Sequence, residues 1–347
     1  MKPISFLFSA AFTLSLLLVS CSSRTGYVAV SGYAQGGIYT VKFNMEGVTE
    51  SRDAIKSSID SILTLVDTTL SGYNKGSILS RFNAGEEVVP NDLFCDIYSF
   101  CYDIHDETDG CVDVASGPLF DIWGFGFSTD SLPSDSLVKQ TLAICGMSRL
   151  PRQIPQDEPV TAMDIAGGDV VLNFNAVAQG YTCDLVADYL HSIGVKDMLV
   201  DIGEIYCEGL NPVRKGWTIA VDRPVDGNET PGADIDGIWT SEGRSCSIVT
   251  SGNYRKFYTR DGRKYAHTID PRTGYPVDHN LLSATVTAPT AALADAYATY
   301  CMVLGLEESR TFIESRNDLE AYLIYDEGGV MREWASSGFS LLESTDR

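Results

Sequence analysis

Two oxygen-bearing side chains, Asp295 and Thr299, stand four residues apart in a run of small apolar residues that extends from Ala291 to Leu304. The run has the composition of a helix, and residues four apart share one helical face. A carboxylate and a hydroxyl are hard oxygen ligands, which suit Mg²⁺ or Ca²⁺ better than a soft metal. In the structural alternative, the aspartate interacts with the helix dipole and the threonine bonds to its own backbone. Spacing alone leaves both interpretations open.

A group of basic residues precedes this helix in a chain that is otherwise acidic. Its members are Arg255, Lys256, Arg260, Arg263, Lys264 and Arg272. Several of them on one face of a hairpin would suit a phosphate-bearing ligand, although a solvated hairpin explains most of them equally well. His267 stands before an Asp-Pro turn. Because imidazole titrates near neutral pH, His267 is a candidate general base, with a structural histidine as the alternative.

Small residues mark a second place where a ligand could approach the backbone. The segment from Asn173 to Gly180 leads from a strand pattern into a helical one. A turn of this kind lets a ligand meet the N–H groups of a helix N-terminus. The segment is not a phosphate-binding P-loop, since no Gly-Lys-Ser/Thr follows it.

The elements that must position these residues are a mixture of helices and strands. Apolar spacing predicts helices at 51–69, 78–83, 91–107, 136–145, 181–193, 291–304 and 307–315, and Asn91 is a suitable N-cap. Strands are predicted at 26–43, 198–202, 217–221 and 248–251, and hairpins at 161–174, 254–268 and 321–334. The adjacent Gly36 and Gly37 suggest a bulge or a close backbone approach. The aromatic segment 117–126 is interpreted as a packed loop or a wall for a planar ligand. Without a regular βαβ repeat, the predicted fold class is α+β, with mixed helices and antiparallel sheets in two closely joined subdomains.

Composition narrows the possible functions. The chain has 347 residues and a net charge of −22, which argues against non-specific binding to nucleic acid or to anionic membranes. Of nine cysteines, eight follow Cys21, and none of these has the CxxC spacing of zinc or thiol-redox sites. We expect buried free thiols, with room for one or two disulfides if the chain is exported.

The N-terminus has the features of a targeting segment. Lys2 supplies a positive charge, and residues Ile4 to Val19 form an apolar run. The targeting segment ends at Cys21. Leu-Val-Ser-Cys resembles the lipobox of bacterial lipoproteins. That resemblance implies a signal peptide at 1–20, a lipid anchor on Cys21 with a tether at 21–26, and a soluble body at 27–345. The expected location is the bacterial cell envelope, facing the periplasm from the cytoplasmic membrane.

Five motifs, in order along the chain, resemble those of the ApbE family of FAD:protein FMN transferases. They are Tyr73 to Asn83, Gly117 to Gly126, Thr250 to Arg255, His267 to Pro276 and Ala294 to Thr299. They extend over nearly the whole mature chain, and five motifs in one order are far more specific than any one of them.

The resemblance implies an enzyme that uses Mg²⁺ to transfer FMN from its substrate FAD to a Thr or Ser of a partner protein, releasing AMP. On the family pattern Asp295, Thr299 and the backbone carbonyl of Ala176 would hold the metal, and His267 would take the proton of the attacking hydroxyl. The residues that would lie along FAD are Gln35, Tyr73, Cys111, Val112, Asp113, Asn173, Gln179 and Ile269. The expected acceptor is a subunit of a membrane redox pump. Hydrolysis of FAD to FMN and AMP, or flavin binding without catalysis, are the alternatives.

The chain departs from the family pattern in three places. Asn173 and Gln179 replace a usual Asp and Lys, Gln35 stands where Met is common, and the stretch from Val200 to Glu204 is one Gly short. The loss of an Asp and a Lys together is interpreted as a compensated exchange, in which two amides replace two opposite charges beside the flavin.

Overall fold

The computed structural model describes residues 26–125, 132–168, 170–226, 228, 230, 232–254, 257–260 and 263–342, without the side chains of residues 263 and 264. The signal peptide and lipid anchor expected at residues 1–25 therefore lie outside the described residues. So do Arg255 and Lys256 of the basic group.

Helices and antiparallel strands alternate irregularly along the described chain. The strands are β1 (Tyr27–Ala34), β2 (Gly37–Asn44), β3 (Met198–Asp201), β4 (Ile205–Glu208), β5 (Thr218–Asp222), β6 (Ile235–Thr240), β7 (Cys246–Gly252), β8 (Phe257–Arg260), β9 (Arg263–Ala266), β10 (Ile269–Asp270), β11 (Tyr275–Pro276), β12 (Leu281–Ala288), β13 (Glu320–Asp326), β14 (Met331–Ala335) and β15 (Leu341–Leu342). The helices are α1 (Arg52–Leu70), α2 (Ile78–Asn83), α3 (Asp92–Glu107), α4 (Gly117–Ile122), α5 (Asp135–Leu142), α6 (Ala162–Ala166), α7 (Ala178–Ser192), α8 (Ala291–Leu304) and α9 (Leu306–Glu314). The predicted α+β class is confirmed. None of the described helices has the length and apolar character needed to cross a membrane.

The main sheet has the order β1-β2-β3-β4-β7-β12-β13-β14, with antiparallel neighbours throughout. Side chains alternate between its two faces. On β7, Val249 joins the large helical core and Ile248 joins a second core. This second core, which we call the small-sheet core, lies between the main sheet and the sheet β15-β6-β5. Its buried members are Leu199, Cys207, Trp217, Ile219, Val221, Trp239, Ile248, Tyr322, Ile324 and Phe339.

Helix α8 is buried around most of its circumference because it packs on β7 and β12 on one side and on α7 and α9 on others. Small residues make this possible: Ala294, Ala296 and Ala298 are all buried. Such a helix needs no polar face. A carboxylate in its middle, at Asp295, is therefore an exception that needs a physical explanation.

Several predicted elements are confirmed with small shifts, including α1, α3, α7, α8 and the hairpin β13–β14. The side chain of Asn91 accepts a hydrogen bond from the N–H of Phe94 at 2.9 Å, as predicted for an N-cap. Strands β4 and β6 were not predicted, and α4 lies where a loop was expected.

The hairpin predicted at 161–174 is wrong. Residues 162–166 form α6, because Thr161 and Asp164 make a reciprocal capping box at its start. The stretch 170–174 is not a strand. Instead, the side chain of Asn83 bonds to both the N–H and the C=O of Leu172, at 2.8 Å each.

The glycines at 36 and 37 do not form a bulge. Ala34 pairs with Gly37, which leaves Gln35 and Gly36 as a two-residue hairpin turn. Both residues have positive φ angles, 50° and 82°, as the right-handed twist of a hairpin requires. Gln35 holds this left-handed conformation although it carries a side chain.

Candidate active site

The N-terminal turns of α7 and α8 lie against each other. A Cβ atom on Gly180 would be 2.2 Å from the carbonyl oxygen of Ala291, so only glycine fits at this position. The predicted turn from Asn173 to Gly180 and the predicted metal helix are therefore in direct contact.

Each of these helices supplies a carboxylate to the start of the other. Asp295 of α8 accepts a hydrogen bond from the Gly180 N–H at 3.1 Å. Asp184 of α7 accepts from the N–H groups of Ala291 and Ala292, at 2.8 Å each. The first N–H groups of a helix have no partner within it, and α7 has no side-chain cap of its own at Val177. The exchanged carboxylates thus join the two N-termini.

Burial dominates the electrostatics of this junction. Asp295 exposes 5% of its surface, and burial raises its pKa to about 8; the nearby Asp184 adds to the shift and the Gly180 N–H opposes it. Burial likewise raises the pKa of Asp184 to about 6, against the N–H groups of Ala292 and Ala291. Among the described residues neither carboxylate forms an ion pair with Lys, Arg or His. A desolvated carboxylate without a cationic partner favours either a proton or a bound cation.

Two further hard oxygen donors belong to the elements that meet at this junction. Thr299 follows Asp295 by one helical turn and is half-buried, and Ala176 lies in the turn that leads into α7. No group of three or more His, Cys, Asp or Glu side chains that could hold a metal ion occurs among the described residues. A metal here would rest on one carboxylate, one hydroxyl and a backbone carbonyl, which fits Mg²⁺ completed by water and phosphate oxygens.

His267 lies between β9 and β10, half-buried, with its ring edge-on to Phe125 at a centroid distance of 6.4 Å. The next residue, Thr268, donates a hydrogen bond from its hydroxyl to Asn253 Oδ1 at 2.8 Å. This bond ties the histidine segment to the end of β7. Trp123 Nε1 donates to the carbonyl oxygen of Gly274 at 2.8 Å. Three motifs that are distant in sequence therefore converge around His267.

The segment Cys111–Asp113 begins beside the histidine motif, because a Cβ atom on Gly110 would lie 4.0 Å from Arg272 Cγ. Burial raises the pKa of Tyr300, the residue after Thr299, with Cys111 adding to the shift and Arg272 opposing it. Arg272 itself is bonded to Asp270 through Nε and Nη2, at 3.0 Å each.

Four of the predicted flavin-contacting side chains are covered by protein. Cys111, Val112 and Ile269 are buried. Val112 belongs to the large helical core, and Ile269 packs in a smaller core with Leu119 and Trp123. The Asp113 carboxylate accepts from the N–H groups of Ala115 and Met147, and burial raises its pKa. Any contact of these residues with a ligand would have to be made by their backbone atoms.

Of the other four predicted flavin residues, three border the start of α7 and Tyr73 does not. Gln35 Nε2 donates to Thr182 Oγ1 at 2.7 Å, and Gln179 Nε2 donates to the carbonyl oxygen of Ile202 at 3.4 Å. The Asn173 N–H donates to the carbonyl oxygen of Val114 at 2.7 Å, next to Cys111–Asp113. Tyr73 lies on the loop between α1 and α2 and exposes 74% of its surface.

Sequence reasoning gave no role to two residues that hold this site together. Asn83 fixes the backbone of Leu172, directly before Asn173. Asp184 caps α8. A signal for Asp184 was present, because it follows Gly180 by four residues and so lies on the same face of α7.

Comparison with known proteins adds independent information. A model of the ApbE family matches residues 36–323. The chain is 31% identical to a FAD:protein FMN transferase of Haemophilus influenzae, over 99% of each chain. The flavin transferase ApbE from Vibrio cholerae is similar in structure, with a TM-score of 0.74 and 31% identity over 90% of this chain and 97% of that one. The apo form of the Pseudomonas stutzeri flavinyl transferase ApbE gives a TM-score of 0.76 and 31% identity over 90% of this chain and 95% of that one.

Proposed function

The chain belongs to the ApbE family, and on that premise we propose that it transfers the FMN part of FAD to a Thr or Ser hydroxyl of a partner protein in a reaction that needs Mg²⁺. It is an enzyme, a flavin transferase with FAD as its substrate and a protein as its acceptor. The observation that carries the metal requirement is the buried Asp295, which lies where two helix N-termini meet.

Asp295, Thr299 and the Ala176 carbonyl would hold the metal. A bound Mg²⁺ supplies charge neutralisation at the phosphate oxygens and at the leaving AMP. The protein contributes a fixed arrangement of these oxygens, because α7 and α8 are joined through Gly180 and Asp184. The positive end of the α7 dipole, at its N-terminus, also favours the negative charge of a pyrophosphate.

His267 is the proposed general base. In the proposed step the acceptor oxygen forms a bond to the phosphorus of the FMN half, the bond from that phosphorus to the AMP oxygen breaks, and His267 takes the hydroxyl proton. The half-buried ring is held in place by Phe125 and by the bond from Thr268 to Asn253. Such support restricts the directions in which the ring can accept a proton.

The setting of the enzyme is also part of the proposal. The Leu-Val-Ser-Cys sequence supports a lipid anchor on Cys21 in the bacterial envelope, with the enzyme facing the periplasm. An acceptor there would be an exported or membrane-exposed protein, and a subunit of a membrane redox pump is the class we expect.

The function is tested by incubating the full chain with FAD, Mg²⁺ and a candidate acceptor, and then measuring acceptor mass and AMP. We expect an FMN adduct on Thr or Ser, AMP in equal amount, and loss of both with a chelator. Asp295→Ala should lower turnover on the order of 10³-fold, while Asp53→Asn on the exposed face of α1 should leave it unchanged. AMP without adduct would show a hydrolase instead, and FAD binding with neither product a flavin-binding protein.

A further inference from the structure

Two cysteines face each other in the main sheet. Cys207 of β4 and Cys246 of β7 are Cα partners in an antiparallel pair, and both are free thiols. Directly opposed residues point to the same face of a sheet. Both side chains accordingly contact the small-sheet core. The Cys207 thiol lies 3.5 Å from the carbonyl oxygen of Cys246.

The spacing of this pair suits a covalent bond. Directly opposed Cα atoms in antiparallel strands lie about 4.5 or 5.5 Å apart, and disulfides span Cα separations of about 4.4–6.8 Å. Within the described strand pairings no other cysteine stands opposite a cysteine. The two thiols could therefore be joined without moving the strands.

The two thiols differ in access. Cys207 is fully buried, whereas Cys246 is half-buried and lines a surface cavity of about 200 Å³ together with Arg244, Thr287 and Asp318. The hydrogen bond between the thiols lowers the pKa of Cys246, Arg244 lowers it further, and burial opposes both. The same hydrogen bond, followed by burial, raises the pKa of Cys207. Cys246 is thus the thiol that can be both reached and ionised.

We propose that Cys207 and Cys246 are a redox-modification site, which a disulfide-donating oxidant converts to a cross-strand disulfide. Cys246 loses its proton to solvent and its thiolate attacks the donor disulfide, which forms a mixed disulfide and releases one donor sulfur as a thiolate that takes up a proton from solvent. The sulfur of Cys207 then attacks Cys246 Sγ, breaks the mixed bond and gives its proton to the departing donor sulfur, which leaves as the second thiol. Two protein thiols are oxidised and one donor disulfide is reduced to two thiols. For an exported chain, a thiol–disulfide oxidoreductase is the donor of this class.

The bond would close a loop of residues 208–245, which carries β5 and β6. Closing such a loop reduces the entropy of the unfolded chain and so stabilises the folded one. β4 and β7 are neighbours in the main sheet, and Asn253, directly after β7, accepts a hydrogen bond from Thr268, the residue that follows His267. The disulfide therefore joins the two ends of the loop that carries β5 and β6, and it leaves the proposed metal ligands untouched.

The test uses the full chain in detergent, reduced, freed of reductant and then exposed to oxidised glutathione. Free thiols are blocked under denaturing conditions, and tryptic peptides are measured by mass spectrometry. We expect peptides 197–214 and 245–255 to be joined and two hydrogens lighter than their sum. We also expect the oxidised protein to unfold several degrees above the reduced one.

Two variants complete the test. Cys246→Ser should abolish both the joined peptides and the shift in Tm, while Cys95→Ser, which removes a half-buried thiol on α3, should keep both. Three results would each overturn the proposal: a glutathione adduct that persists on Cys246, a joined pair that includes another cysteine, or no reaction at Cys246. FMN transfer does not enter this test, so its outcome is independent of the proposed function.

Discussion

At the scale of single residues, Asp295 is the side chain whose environment most constrains the chemistry. Its pKa of about 8 in the folded protein exceeds the roughly 3.9 of an unfolded chain, because burial penalises the charged form. The stability that this group contributes is fully present below about pH 4 and is lost as the pH rises through 8. A bound divalent cation would reverse that penalty.

The upward shift in the pKa of Asp295 predicts how the stability of the fold depends on pH. In the presence of a chelator we expect the Tm of the wild type to fall between pH 5 and pH 8.5 relative to that of Asp295→Asn, whose amide does not titrate. Added Mg²⁺ should remove most of the difference. Differential scanning calorimetry of both proteins across this range measures it, and parallel curves would show that Asp295 is not desolvated as the structure indicates.

His267 can be tested by separating binding from chemistry. General-base catalysis contributes about 10²–10⁴-fold, so His267→Ala should lower the rate of FMN transfer by that factor while the Kd for FAD stays within about threefold of wild type. His191→Ala is a suitable control because it lies in the last turn of α7, far along the helix from Gly180, where it is paired with Glu208. A time course of FMN transfer gives the rate, and a fluorescence titration with FAD gives the Kd. Equal losses in rate and affinity would assign His267 a packing role.

At the scale of elements, the exchange of carboxylates between α7 and α8 is what places Asp295 and Thr299. We expect Asp184→Ala to weaken Mg²⁺ binding about 10–100-fold, as changes next to metal ligands commonly do, and to cost about 0.5–2 kcal/mol of stability, as the loss of a helix cap does. Compared with Asp184→Ala, Asp184→Asn should keep part of the Mg²⁺ affinity and part of the stability, because its amide oxygen can still accept a hydrogen bond.

A control variant at the cap of another helix separates an effect on the position of the metal ligands from an effect on overall stability. Ser51 caps α1 by accepting from the N–H of Ala54 at 3.2 Å. Ser51→Ala should therefore cost a similar free energy of unfolding and leave the Mg²⁺ dependence of activity unchanged. If both variants changed Mg²⁺ dependence equally, the effect of Asp184 would be one of general stability. Calorimetry and Mg²⁺ titration of the transfer rate are the measurements.

The sequence predicted these two helices but not their relation. Apolar spacing indicated α7 and the small-residue run indicated α8, yet no local pattern tells which N–H group Asp184 or Asp295 will meet, because both bonds join residues more than 100 positions apart.

The error at 161–174 has a local cause. Five residues of α6 are too few to show a helical period, and the capping box of Thr161 and Asp164 decided the conformation. Strands β4 and β6 gain their stability from neighbours in the sheets rather than from their own composition.

At the scale of the whole molecule, the candidate site joins segments from across the chain: the hairpin turn at Gln35, the stretch around Cys111–Asp113, the start of α7, the His267 segment and α8. The family resemblance implied that these segments act together, and three hydrogen bonds link parts of the site: Gln35 bonds to α7, Asn173 bonds to Val114, and Trp123 bonds to Gly274. The net charge of −22 argued against nucleic acid and anionic membranes as partners, but it could not indicate which segments form the site.

A site built this way should couple ligand binding to global stability. A ligand that binds the folded state at 100 times its Kd stabilises it by about 2.7 kcal/mol, which is roughly 5 °C in Tm for a chain of this size. We expect FAD alone to give a small rise and FAD with Mg²⁺ a larger one than the sum of the separate effects, since the proposed metal ligands and phosphate oxygens would share one shell. Asp295→Ala should keep the rise from FAD and lose the extra rise from Mg²⁺, whereas Asp53→Asn should keep both. Strictly additive shifts in the wild type would mean that the metal and the flavin nucleotide bind at separate places.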